Sequence, residues 1–124
     1  MGLNKFTITT VIRSILLDNP EIVSMVGTKI FPLAAPADTP GDYIVYQRDG
    51  FKQSETKMGV YRQIPTVYIY IISDDYDRSQ ELASLVYNSL NGRFSNPTMT
   101  ISLEDSTEEF VDGKYIQILL FSID

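Results

Sequence analysis

Residues 60–92 read VYRQIPTVYIYIISDDYDRSQELASLVYNSLNG, and the change of period inside this stretch decides the fold. Val67, Ile69 and Ile71 alternate with Tyr68, Tyr70 and Ile72. A period of two with apolar residues on both sides predicts a long strand over residues 60–73, buried or partnered on each face. Pro65 has no N–H for a ladder and predicts an irregularity there. Beyond Asp74-Asp75 the apolar positions become Leu82, Leu85, Val86 and Leu90, with Ser89 on the same stripe and Ala83 and Tyr87 widening it. That spacing predicts a helix from about 76 to 91, capped by an aspartate and stopped by Asn91-Gly92.

Toward the N-terminus, Ile8, Val11, Ile12, Ile15 and Leu16 form one apolar stripe on a helix over about 6–18. Asn19-Pro20-Glu21 starts a second, short helix through Met25-Val26, with Gly27 as its stop. Residues 28–32 predict a brief strand, and Pro32, Pro36, Pro40 and Gly41 an extended connection. Residues 43–47 predict a further strand, and 50–59 (GFKQSETKMG) a polar loop bounded by glycines. Toward the C-terminus, Met99, Ile101 and Leu103 alternate with polar residues in a half-exposed strand. Residues 104–113 then read as an acidic turn and 115–123 as a last strand. The fold class expected is α+β: a twisted, mainly antiparallel sheet of four to five strands with two main helices packed on one face. Residues 1–124 form a single domain, with a helical N-terminus over about 6–26 and the sheet and second main helix over 43–124. A parallel connection across 60–103 would cross over right-handed.

Composition narrows the function. The 124 residues contain no cysteine, histidine or tryptophan, which excludes structural zinc, a thiolate nucleophile, a Ser-His-Asp triad and an iron–sulfur cluster. No nucleotide-binding or nucleophile-elbow motif occurs. The expectation is a non-enzyme with no catalytic residues, no cofactor and no metal. No run approaches the roughly 18–20 apolar residues of a membrane span, and no signal peptide is read at the N-terminus. The net charge of -6 argues against nonspecific nucleic-acid binding, which needs a basic face.

Several clusters invite chemistry. Asp74, Asp75 and Asp77 suggest a hard-cation site, but their spacing lacks the glycine and distal glutamate of a calcium loop, and capping explains them better. Glu104, Asp105, Glu108 and Glu109 suggest a carboxylate pair for acid–base catalysis, whereas an acidic turn would leave them solvated. Tyr43, Tyr46, Tyr61, Tyr68 and Tyr70 lie in neighbouring strands. With few cations nearby, core or protein interface suits them better than base stacking.

Charge is unevenly spread. Residues 1–73 carry seven Lys/Arg and six Asp/Glu, and residues 74–124 carry three and ten. Arg48, Lys52, Lys57 and Arg62 flank or occupy the 50–59 loop, while Glu104, Asp105, Glu108 and Glu109 mark the acidic run. These eight residues are the candidate protomer interface: a basic loop meeting an acidic turn head-to-tail, a contact type that closes into rings.

Three motifs carry a family resemblance: Val26-Gly27-Thr28-Lys29-Ile30-Phe31-Pro32 after an N-terminal helix, then Pro40-Gly41-Asp42-Tyr43-Ile44-Val45-Tyr46-Gln47, then a long strand entering a helix with Asp75-Tyr76, Leu82-Ala83 and Leu90-Asn91-Gly92. In this order they resemble the small tail-completion proteins of long-tailed bacteriophages and prophages, the tail-terminator or tail-to-head joining group, over about residues 8–124. The resemblance implies an α+β protein that assembles as a homo-oligomeric ring, a hexamer, at the head-proximal end of the tail tube. Such a protein ends tube growth and joins tail-tube to head-connector proteins, without catalysis. The implied location is the virion tail, with the bacterial cytoplasm as the place of assembly. The competing expectation is a small α+β ligand-binding or regulatory domain with a pocket beside the tyrosine-rich strands. A two-carboxylate hydrolase is a distant third.

Overall fold

The computed structural model describes residues 4, 6–55, 61–95 and 97–124, with backbone alone over 50–55 and 61–63. The chain runs α1 (Ile8–Leu17), α2 (Pro20–Val26), β1 (Ile30–Pro32), β2 (Tyr43–Glu55), β3 (Tyr61–Ser73), α3 (Tyr76–Leu90), β4 (Gly92–Phe94), β5 (Met99–Val111) and β6 (Lys114–Ile123).

Local chemistry accounts for the helix ends. The Asn19 side chain accepts hydrogen bonds from the N–H groups of Glu21 (2.9 Å) and Ile22 (3.3 Å), with Pro20 in the first turn of α2. The Asn19 amide also donates to Ser89 Oγ, so the residue that starts α2 ties it to α3. Gly27 ends α2 at φ 63°, a conformation that costs a side-chain-bearing residue more. Asp75 caps α3 by accepting from the Arg78 N–H at 3.1 Å.

The strands form a sheet in the order β1-β2-β3-β6-β5-β4. The β1–β2 pair is parallel, and the other four pairs are antiparallel. The sheet is therefore mixed and six-stranded, where four to five mainly antiparallel strands were expected. The strand the sequence hid is β4. Asn91-Gly92 reads as a helix stop, and the chain passes from that stop directly into pairing with β5. Because β6 lies between β3 and β5, the connection through α3 joins strands that are not neighbours.

Length is the larger correction. β2 continues to Glu55 and β3 begins at Tyr61, so most of the expected 50–59 loop is a ladder. The expected acidic turn is likewise strand: β5 pairs with β6 through Val111↔Lys114. Asp112 and Gly113 alone make the turn, at φ 51° and 78°. Two residues of positive φ match the twist of antiparallel strands and close the hairpin tightly.

One face of the sheet meets the helices. Ile44, Tyr46, Val67, Ile69, Ile71, Leu119 and Phe121 are buried there against Ile8, Ile12 and Leu16 of α1, Ile22 and Val26 of α2, and Leu82, Val86 and Leu90 of α3. Val11, Ile15, Ala83 and Leu85 pack around this centre, but Tyr87 is 39% exposed and does not extend it.

Candidate interaction surface

Among the described residues no helix lies on the opposite face of the sheet. Alternation along the register places Tyr43 and Val45 of β2, Tyr68 and Tyr70 of β3, Ile118 and Leu120 of β6, and Asp105, Thr107 and Glu109 of β5 on this side. The tyrosines therefore divide. Tyr46 is buried under the helices, whereas Tyr68 and Tyr70 stand together on the open face with ring centroids 5.7 Å apart. The Tyr61 side chain lies outside the described residues. Two shallow cavities meet at Tyr70. One of about 470 Å³ runs beside residues 33–38, lined by Leu33, Pro36, Tyr43, Val45 and Ile116. The other, of about 420 Å³, is lined by Tyr68, Asp105, Glu109, Ile118 and Leu120. Burial, then the neighbouring Tyr68, Asp49 and Glu109, hold the Tyr70 phenol above its ordinary 10.0.

Seven of the eight candidate interface residues are described, and they occupy opposite flanks of the sheet. The Arg48 guanidinium sits 4.9 Å from the centre of the Phe6 ring. Past it, a bulge at Asp49 shifts the register, and Lys52 and Arg62 take strand positions opposite Ile64 and Ser54. Lys57 lies outside the described residues, as do the side chains of Lys52 and Arg62. β6 begins to pair with β3 at Thr66, so β2 and β3 run beyond it as a two-stranded ribbon.

On the other flank, Glu104 is the extra residue of a bulge in β5 and accepts from the Ser122 hydroxyl at 2.6 Å. Asp105 accepts from the Ser106 N–H at 2.9 Å. Glu108 turns to the helix side and accepts from the Tyr76 hydroxyl (3.0 Å) and the Gln117 amide (3.0 Å), while Glu109 faces the open side opposite Ile116. The carboxylates thus alternate between faces instead of converging on one reacting group, which is what acid–base work requires. β6 lies between the β2–β3 pair that forms the basic ribbon and the acidic strand β5, so one protomer does not bring the two sets together. Asp75 is the α3 cap, Asp74 pairs with Lys114, and Asp77 lies in the first turn of α3. Among the described residues no cluster of three or more carboxylates is placed to hold a metal ion.

The start of α3 and the tip of the β5–β6 hairpin share a polar network that sequence reasoning missed. Asp42 is buried. It accepts from Ser73 Oγ at 2.6 Å and from Arg78 Nε at 2.8 Å, joining the residue that leads into β2 to β3 and α3. Beside it, Tyr76 and Phe110 pack on the Tyr115 ring, with centroids 5.5 and 4.8 Å away, while Phe110 stays 61% exposed. Asp112-Gly113 was the available signal, because a two-residue turn forces Phe110 and Val111 to be strand. Asp42 stands in the Pro40–Gln47 motif, but nothing in that motif marks it as a buried acceptor.

The Tyr76–Glu108 hydrogen bond gives a pH prediction. The bond favours the neutral phenol, and with partial burial and the Glu108 charge it holds Tyr76 above 10.0. A phenol whose pKa is raised on folding contributes its stability fully below the unfolded value and loses it as pH rises through the folded one. Ultraviolet titration should therefore show two late-ionising tyrosines, Tyr70 and Tyr76, of which one is lost in Tyr76→Phe. Glu108→Gln should bring that ionisation back toward 10.0.

The open face, the two flanks and the polar end can now be set beside known structures. The same fold occurs in a virion. A chain in the virion of the native gene transfer agent particle is similar to this one with a TM-score of 0.74 and 17% identity, over 90% of this chain and 89% of that one. A second solved structure aligns at a TM-score of 0.56 and 12% identity, over 99% of this chain and 96% of that one. At these identities the shared property is the fold. No family model and no curated protein matches the chain.

Proposed function

We propose that this chain is a noncatalytic structural protein of a phage-like virion, which self-associates into a ring that caps the tail tube and joins it to the head connector. The observation that carries the reading is the likeness to a virion chain along nearly the whole of both molecules. The three sequence motifs add the tail-completion role and the hexamer. The surface is in keeping with both: a helix-free sheet face, a projecting basic ribbon and an acidic strand on opposite flanks.

Under this reading Arg48, Lys52, Lys57 and Arg62 of one protomer face Glu104, Asp105, Glu108 and Glu109 of the next. Reversing Lys52 and Lys57 to glutamate should weaken ring formation and invert its salt response, because screening relieves repulsion instead of attraction. Light-scattering mass at low and high salt checks this, and unchanged assembly counts against the contact. The cavity beside residues 33–38 favours a second reading, a ligand-binding domain. Saturable binding of a small aromatic probe, lost in Tyr70→Ala, would support it; no binding would remove it.

A further inference from the structure

The β5–β6 hairpin and the start of α3 border a small pocket with aromatic walls and a carboxylate. The register sets Glu108 opposite Gln117 and Phe110 opposite Tyr115, so these four side chains share the helix side of the hairpin. Tyr76, the first residue of α3, adds a further wall: its ring centre is 5.5 Å from that of Tyr115, and its hydroxyl donates to Glu108 at 3.0 Å. The Phe110 ring lies 4.8 Å from that of Tyr115 and is tilted by 49°, so the two rings adjoin as an open angle. The cavity measures about 240 Å³. That is below the roughly 300–1,000 Å³ of a small-molecule cleft, and it suits a single side chain.

The chain itself leaves the pocket incomplete. Phe110 stays 61% exposed although it packs on Tyr115, so much of an apolar ring remains wet. The Glu108 carboxylate is held by the Tyr76 hydroxyl and the Gln117 amide, both neutral, and by no cation among the described residues. These donors are themselves fixed: the buried Gln117 amide also donates to Ser79 Oγ at 3.2 Å, and the Gln80 amide donates to the Tyr76 hydroxyl at 3.4 Å. A carboxylate offers about four acceptor sites, so two donors leave places for an outside donor. The surroundings favour a cationic one. Residues 104–112 hold five Asp/Glu and no Lys/Arg, and Asp75 and Asp77 stand at the start of α3. The neighbouring cations Lys114 and Arg78 are committed to Asp74 and Asp42.

We infer that this pocket takes an arginine side chain presented by a partner protein, with the guanidinium bonded to Glu108 and stacked on the Phe110 and Tyr115 rings. The chemistry of the walls selects this occupant. An apolar side chain would strip water from Glu108 and return no hydrogen bond. A metal ion needs several ligands, and among the described residues no group of three or more acidic side chains is placed to hold one. A lysine ammonium keeps its water and has no plane to lay on a ring. A guanidinium is planar and weakly hydrated, and it bonds a carboxylate while lying against an aromatic face. The pocket is beside the hairpin tip, where Val111 is 45% exposed, so a partner surface reaches it without rearrangement of the fold. One copy of the chain holds the whole pocket, so the inference does not depend on the oligomeric ring.

The test titrates the isotope-labelled full chain with the peptide acetyl-Gly-Arg-Gly-amide and follows the backbone amides of residues 108–117 by NMR. The expected result is saturable shifts centred on Glu108, Phe110 and Tyr115. The matching citrulline peptide keeps the shape and loses the charge, and should bind about tenfold more weakly. Glu108→Gln should weaken the arginine peptide about tenfold and Phe110→Ala about threefold. Glu21→Gln removes the same charge from α2 and should leave binding unchanged. Glu108 and Phe110 are both exposed, so each variant should keep the amide spectrum of the folded chain outside the hairpin. Equal binding of the arginine and citrulline peptides overturns the inference, as does binding that survives Glu108→Gln. Absence of saturable shifts at 108–117 also overturns it. If Glu108→Gln and Phe110→Ala both abolish the chain's own self-association, a second copy fills the pocket and the partner assigned here is wrong.

Discussion

Asp42→Ala should lower stability by about 2–3 kcal/mol. The Asp42 carboxylate is the buried acceptor for two donors on different elements, the Ser73 hydroxyl at 2.6 Å and Arg78 Nε at 2.8 Å. Ser73 is fully buried, so removing its acceptor leaves a hydroxyl with its desolvation cost uncompensated. The Arg78 side chain is 50% exposed and recovers water when the carboxylate goes, which keeps the loss below that of a fully buried ion pair. Asp42→Asn retains an acceptor for Ser73 and should lose less than half as much. Urea denaturation separates the two: both midpoints fall with an unchanged slope, alanine further than asparagine. Equal losses would mean that the charge, and not the hydroxyl, carries the effect.

Phe121→Ala should cost about 3–5 kcal/mol. Phe121 is fully buried on β6, between Val67 of β3 and Leu103 of β5, and its ring lies in the core under the helices. Its neighbours belong to strands that already pair on both sides, so the surroundings have little freedom to close over the void. Phe121→Leu refills most of the volume and should recover more than half of the loss. Thermal and urea unfolding of the two variants check this; a loss under about 1 kcal/mol for alanine would contradict the packing described.

The sequence was most legible where one chemical signal had one meaning. The α1 stripe, the Asn19-Pro20 start, the Asp75 cap and the period-two run of β3 all appear as read. Strand ends were misread because charge has two meanings. Carboxylates are poor strand formers on average, yet an edge strand tolerates them and is protected by them, so the run from Glu104 to Glu109 looked like a turn and is a ladder. Residues 50–55 misled in the same way: they belong to a two-stranded ribbon that no third strand covers among the described residues. The candidate interface was read as a basic loop and a distant acidic turn, whereas the described residues of both groups lie in or beside strands on opposite flanks of the sheet. β4 was not readable, because a three-residue strand directly after a helix stop leaves almost no pattern, whereas β1 lies inside the brief strand expected over 28–32.

The central claim is self-association into a closed ring. Its most direct test is the mass of the purified chain in solution, measured by native mass spectrometry or light scattering across a wide concentration range. The account predicts one discrete closed species, a hexamer of the 14.0 kDa chain, that grows in with concentration and dissolves on reversal of Lys52 and Lys57. A strict monomer at every concentration, or an open-ended ladder of sizes, would contradict it.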